Sequence, residues 1–315
     1  MKRGVIDTLR RGLDNTIANW PLLLLRFAEA FAMILIGIAA AIAIVVPVIV
    51  SLGLSADLLQ TAEGIEDLFG ILTERWLLIL YVFGVVTFLL VVFVAIHSFV
   101  EAGSARVYVD GDRIAGPETE GPRSRFNVFS IQRWLAGATD GWWAVFWIYN
   151  LAWGVAALIM IIPMVPMAAL LFVFQNTPAA IIATGCLGAI VTLGLMFAVS
   201  IVVAIWSNRA IASWAVTRLS AREALATSWI AVKRDFGRLL LASIALFVIS
   251  MAGSSFFASF SFISGFLERM NDSGMVGVMT IPVRLAASLA STAFSAALSG
   301  WFLAAFSAFA VEDGA

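Results

Sequence analysis

The chain has one histidine, His97, followed closely by Glu101, Arg106, Asp110, Asp112 and Arg113. An imidazole beside a carboxylate suits general acid–base work, because histidine titrates near neutrality. Such a pair would fit an intramembrane lipid hydrolase using His97 with a serine or with Glu101. No activating context accompanies it: the G-x-S-x-G elbow, H-E-x-x-H and G-x-x-x-x-G-K-[ST] patterns are all missing from the sequence. The single cysteine, Cys186, lies in an apolar run and has no thiol partner for a disulfide or a metal. The reading is therefore of a chain with no metal, no cofactor and no nucleic-acid partner, and His97, Glu101 and Arg106 are candidates for a small polar pocket at the cytoplasmic end of a helix.

The elements that carry these residues follow from composition. Hydrophobic residues make up 62% of the 315, charged residues 12%, and mean hydropathy is +1.01. A soluble domain has about 25% charged residues. Half that number cannot cover a water-facing surface, so the chain is read as an all-α, polytopic membrane protein. In hydrocarbon each backbone polar group must be satisfied within its own helix, which takes about 20 apolar residues per crossing. Six stretches qualify: 27–54, 76–100, 142–174, 178–206, 239–266 and 281–311.

All but three of the 19 Lys and Arg residues fall in the N-terminal tail, in the loop between spans two and three, or in the loop between spans four and five. The exceptions are Arg75, Arg269 and Arg284. By the positive-inside rule both termini face the cytoplasm of a bacterial inner membrane. The N-terminal run is too long for a signal-peptide core and reads as retained.

Segments before spans one, three and five are expected to be amphipathic helices lying in the membrane plane. The first places Val5, Ile6, Leu9, Leu13, Ile17 and Trp20 on one face, with basic residues opposite. The second carries Phe126, Val128, Phe129, Ile131, Trp134 and Leu135. The third carries Leu225, Trp229, Val232 and Phe236, opened by a Ser220/Glu223 capping box. Acidic "SADLLQTAEGIEDLFGILTER", residues 55–75, is expected to form a further surface helix on the outer side. Trp20, Trp134, Trp142, Trp143, Trp206, Trp214 and Trp229 read as an aromatic belt.

Within the spans, Arg26 and Glu29 stand i,i+3 and can pair on one face of the first helix. Asn150 reads as an interhelical hydrogen-bonding residue. Pro47, Pro163 and Pro166 predict kinks, with a bent outer half of span three. Ala102–Ala105 is a small-residue patch where another helix can pack. "VDGDR" reads as a turn at Asp110-Gly111. Small residues crowd spans five and six, as in a tight bundle core or a homo-oligomer face.

The run "REALATSWIAVKRDFGRLLL" resembles the interfacial helix of the six-helix bacterial membrane domain fused to some glycerophosphoryl diester phosphodiesterases, and of its stand-alone relatives. The matching residues are Arg222, Glu223, Ala224, Leu225, Ser228, Trp229, Val232 and Phe236. The resemblance implies the six-span architecture. The phosphodiesterase domain has no counterpart in this sequence, so it implies no enzyme activity.

The leading expectation is a non-enzymatic membrane protein with a basic, Trp-rich cytoplasmic face that touches anionic lipid or a protein partner. Arg10, Arg11, Arg26, Glu29, Arg209, Lys233 and Arg234 are its candidate contacts. The alternative is a transporter or transporter subunit for an apolar or lipidic substrate, built on the kinked third span.

Overall fold

The computed structural model describes residues 3–52, 76–117, 121–173, 177–270 and 274–314. Among these residues the chain is all-helical. The helices are α1 (Val5–Ala18), α2 (Pro21–Leu52), α3 (Trp76–Ile114), α4 (Ile131–Val173), α5 (Pro178–Thr217), α6 (Ala221–Met270) and α7 (Gly274–Glu312), with a 3-10 turn at Arg123–Phe126. Six of them, α2 to α7, are long and apolar enough to cross a membrane. The expected acidic helix at 55–75 and the 174–176 link lie outside the described residues.

The spanning helices are much longer than a bilayer requires. With 43 residues, α4 extends about 65 Å at 1.5 Å per residue, roughly twice the hydrocarbon thickness. The surplus length sets where the core lies. The chain divides into two units, Phe27–His97 and a second made of Met1–Arg26 with Ser98–Ala315.

The first unit is the hairpin of α2 and α3. Its interior problem is Pro47, which has no N–H to give to the carbonyl four residues earlier. That carbonyl belongs to Ala43, and the Tyr81 hydroxyl of α3 donates to it at 2.9 Å. Tyr81→Phe should leave this carbonyl unsatisfied and cost about 0.6–2 kcal/mol of hairpin stability in a membrane. Thermal unfolding in detergent or bicelles measures it, and an unchanged midpoint would sink the account. Small residues on both helices, Ala39, Ala40, Ala43 and Gly84, leave an open apolar groove of about 560 Å³ that Phe88 and Leu89 also line.

In the second unit α7 is the central helix, packed by α1, α5 and α6, with α4 against α5. Tyr108, Ile148, Ile211, Trp214, Leu303 and Phe306 are fully or almost fully buried. Close approaches are made at glycines. A methyl group on Gly12 would lie 2.8 Å from the Cα and N of Ala305, so α1 and α7 touch backbone to backbone. The Ala102–Ala105 patch is packed by α4: a Cβ on Gly103 would lie 2.6 Å from Trp134 Nε1. In the small-residue runs of α6 and α7, Gly253 lies against the Phe294 ring, where a Cβ would be 2.2 Å away.

Several expectations change. Helix α3 continues through Asp110-Gly111, and the chain leaves the helix only beyond Ile114, with Gly116 at φ +72°. Gly111 is a packing glycine, because Asn15 Oδ1 and the Phe126 carbonyl would be 2.8 and 2.9 Å from a Cβ there. Helix α4 is continuous through Pro163 and Pro166. An interior break falls in α6, at Asp235 (φ −115°, ψ 24°). Asn150 is exposed and donates to Phe146 of its own helix at 2.7 Å, with no second helix involved. The residues before span three form no separate helix, since Ile131 and Trp134 already belong to α4. Trp134 and Trp214 are core residues, not belt residues.

Candidate functional site

Helix α1 shows how the polar end of the second unit is built. Thr8, Arg11, Gly12, Asn15, Thr16 and Asn19 recur every three or four residues and are all buried. This polar face turns into the protein. The Arg11 guanidinium hydrogen-bonds the Asp112 carboxylate, and its Nη2 donates to the Asp112 and Gly116 carbonyls at 2.8 and 2.6 Å. Asn15 Nδ2 donates to the Tyr108 carbonyl at 2.8 Å. Asn19 Nδ2 donates to the Phe126 carbonyl at 2.8 Å, while its Oδ1 accepts from the Val128 and Phe129 amides at 3.1 and 2.9 Å. Trp301 Nε1 of α7 donates to the Leu9 carbonyl at 2.7 Å. Of the apolar face, Ile6 is 81% and Trp20 57% exposed, while Val5 and Leu9 pack against the buried cluster that includes Leu239 and Phe306.

Arg26 Nη1 reaches Glu101 Oε1 at 2.9 Å and Ser299 Oγ at 2.7 Å, and both ions are buried. Glu29 Oε1 meets His97 Nδ1 at 2.6 Å. An intrahelical i,i+3 pair is weak. A buried carboxylate needs a nearby cation far more than an exposed one does, so interhelical geometry prevails. Glu29 and His97 are the only acidic or basic side chains among the described residues of the α2–α3 unit. Arg106 pairs with Asp110 at 3.3 Å, Glu101 with Arg26 and His97 with Glu29.

A third cluster gathers around the end of α7. Arg209 is 1% exposed, and its Nη2 binds Asp313 Oδ2 at 2.8 Å. Its Nη1 donates to Ser213 Oγ at 2.9 Å, which also accepts from Ser228 Oγ at 3.2 Å. Arg234 Nη2 binds the other Asp313 oxygen at 2.7 Å. Arg238 donates to Glu312 Oε2 at 3.0 Å, and the Arg3 amide hydrogen-bonds the second Glu312 oxygen. Burial and the neighbouring Arg11 push the Arg3 guanidinium below its ordinary value.

The seven candidate contact residues therefore separate. Arg11, Arg26 and Arg209 point inward onto carboxylates, and Glu29 onto His97. Arg10, Lys233 and Arg234 face outward. Lys233 lies 5.8 Å from the Trp229 ring centre, and neither Arg10, Arg222 nor Lys233 has a carboxylate partner among the described residues. Sequence reasoning missed the counter-ions Asp112, Glu312 and Asp313. The available signal was the polar stripe on α1, which is as regular as its apolar stripe.

Chemically, this is a set of neutralised guanidinium–carboxylate pairs. Arginine does not deprotonate in proteins, so each guanidinium stays charged and is neutralised by the carboxylate it binds. Among the described residues no cluster of three or more His, Cys, Asp or Glu could hold a metal ion. Fold and site define a multi-pass α-helical membrane protein with a polar, ion-paired helical end. Comparison with protein-family models, with curated proteins and with solved structures finds no match.

Proposed function

We infer that the chain is a non-enzymatic protein of the bacterial cytoplasmic membrane, with both termini on the cytoplasmic side. Its α1 and the first turns of α6 lie in the headgroup plane and contact anionic lipid. This reading keeps the likeness to the six-helix domain fused to glycerophosphoryl diester phosphodiesterases, on the Arg222–Phe236 run. One observation carries it: the polar face of α1 is bound into the protein, so Ile6, Ile17 and Trp20 are left exposed beside Arg10. An apolar face with a cation at its edge matches the headgroup–acyl boundary. On α6, Trp229 and Ile230 are exposed beside Arg222 and Lys233 in the same manner. The Ser220/Glu223 box supports that helix start, with the Ser220 amide donating to Glu223 Oε2 at 3.0 Å.

The cations that count are far fewer than composition suggests, since the inward arginines are already neutralised. Changing Arg10, Arg222 and Lys233 together to Gln removes about 1 kcal/mol each of attraction to an anionic surface, a loss of roughly 100-fold in affinity for phosphatidylglycerol. Lipid co-purifying from mixed phosphatidylglycerol–phosphatidylcholine nanodiscs, read by mass spectrometry, measures this. Unchanged enrichment would sink the reading.

The open groove in the α2–α3 hairpin favours a second reading, a carrier of an apolar or lipidic substrate. Its volume of about 560 Å³ falls within the usual range of ligand pockets, about 300–1,000 Å³. Ala39→Phe fills the groove and should abolish movement of a fluorescent lipid between leaflets of reconstituted vesicles. Movement at the wild-type rate, or none in the wild type, would remove this alternative.

A further inference from the structure

We propose that the arginine pocket around Asp313 is a phosphate-binding site, closed in this structure by the chain's own carboxylate. The inference rests on the anionic-lipid reading for where such a phosphate would come from. It rests on geometry for the site itself.

Two guanidinium groups from different helices, Arg209 of α5 and Arg234 of α6, each take one oxygen of a single carboxylate, at 2.8 and 2.7 Å. That is how arginines hold one anion between them, and guanidinium hydrogen-bonding geometry suits phosphate as well as carboxylate. The inner wall is rigid. Arg209 is held by the Ser213 hydroxyl, which is in turn held by Ser228, and all three residues are buried. The outer wall is open, since the Arg234 side chain is 54% exposed. Its Nε is occupied by Asp235, at the point where α6 departs from helical geometry. Arg238 lies behind, bound to Glu312.

The occupant is held differently from its pocket. Asp313 is the first residue past α7, and its amide donates to the Phe309 carbonyl at 3.2 Å. It is followed by exposed Gly314 at φ +68°. The carboxylate accepts from both arginines, and Asp313 is not among the buried apolar core residues. Without it, Arg209 would be a buried cation lacking the carboxylate it now binds, and burial makes the recruitment of another anion favourable. The pocket adjoins, in sequence, the exposed Trp229, Ile230 and Lys233 of α6. A phosphate carried at headgroup depth is therefore the fitting ligand, and free phosphate offers the same oxygens.

The test uses the full chain carrying Asp313→Asn, with Asp313→Ser as a second variant. In detergent, inorganic phosphate should raise the melting temperature of either variant while leaving the wild type unmoved, because a ligand that binds only the folded state stabilises it. In phosphatidylglycerol–phosphatidylcholine nanodiscs the variants should retain roughly tenfold more phosphatidylglycerol than the wild type, a gain equal to one decade in affinity. Adding Arg234→Gln should cancel both gains. A gain with phosphatidylglycerol alone assigns the site to a lipid headgroup, and a gain with both assigns it to phosphate from either source. Folded variants that respond to neither overturn the proposal. So do variants that fail to fold even with phosphate present, since a filled site should replace the lost carboxylate. The Arg10, Arg222 and Lys233 triple variant separates the two ideas. If it loses phosphatidylglycerol while the Asp313 variants gain none, only the pocket fails. If it loses nothing while they gain, only the broader lipid-facing reading fails.

Discussion

Glu101→Ala should destabilise the protein by about 3–5 kcal/mol, because it leaves the buried Arg26 guanidinium without the carboxylate that now lies 2.9 Å away. The magnitude comes from desolvation, not from the attraction itself. Arg26 and Glu101 side chains are only 3% and 4% exposed, so water cannot replace the lost partner. Replacing both ions with apolar residues of similar size, Arg26→Met with Glu101→Leu, should recover most of the loss, since the cost of burying a lone charge is then removed. A double-mutant cycle on thermal or denaturant unfolding in detergent measures the coupling. A Glu101→Ala variant within 1 kcal/mol of wild type would show that the pair is solvated in the folded protein. It would also restore the surface reading of Arg26 that the sequence suggests.

Gly12→Leu should be comparably severe, for a steric reason. Its Cβ would sit 2.8 Å from the Ala305 backbone, which cannot turn aside as a side-chain tip can. Overpacking of this kind typically costs about 1–3 kcal/mol even where the surroundings yield. Here α1 would be forced off α7, and the polar contacts of Arg11, Asn15 and Asn19 would be strained with it. Gly12→Ala should already be destabilising. The matched control is Gly37→Ala, at a site with open space around its Cβ position, where losing a helical glycine should be neutral or stabilising by up to about 1 kcal/mol. Equal effects at the two glycines would refute the backbone contact.

Both predictions concern contacts that hydropathy does not encode. The six spans follow from apolar runs, because lipid imposes one rule on each helix independently of its neighbours. Pro47 announces an orphaned carbonyl, but only the hairpin brings Tyr81 to Ala43. Pro163 and Pro166 do not end α4, which carries both as helix. The α1 segment is legible only in part. Its amphipathicity is real, but pattern alone does not show that the polar stripe is buried, where Arg11, Asn15 and Asn19 meet carbonyls and a carboxylate on α3 and the segments that follow it.

Composition and pattern alone thus establish an all-helical membrane chain with six crossings, cations concentrated at particular loops, and helix starts such as the Ser220/Glu223 box. These depend on residues within one or two turns of each other. The partners of Arg11, Arg26 and Arg209 lie 101, 75 and 104 residues away. Pairing at that range is decided by packing, because a buried ion's free energy depends on which opposite charge the fold brings within about 4 Å. The tertiary structure therefore turns an apparently broad basic face into a set of neutralised buried pairs, with a few cations and part of an apolar face left exposed.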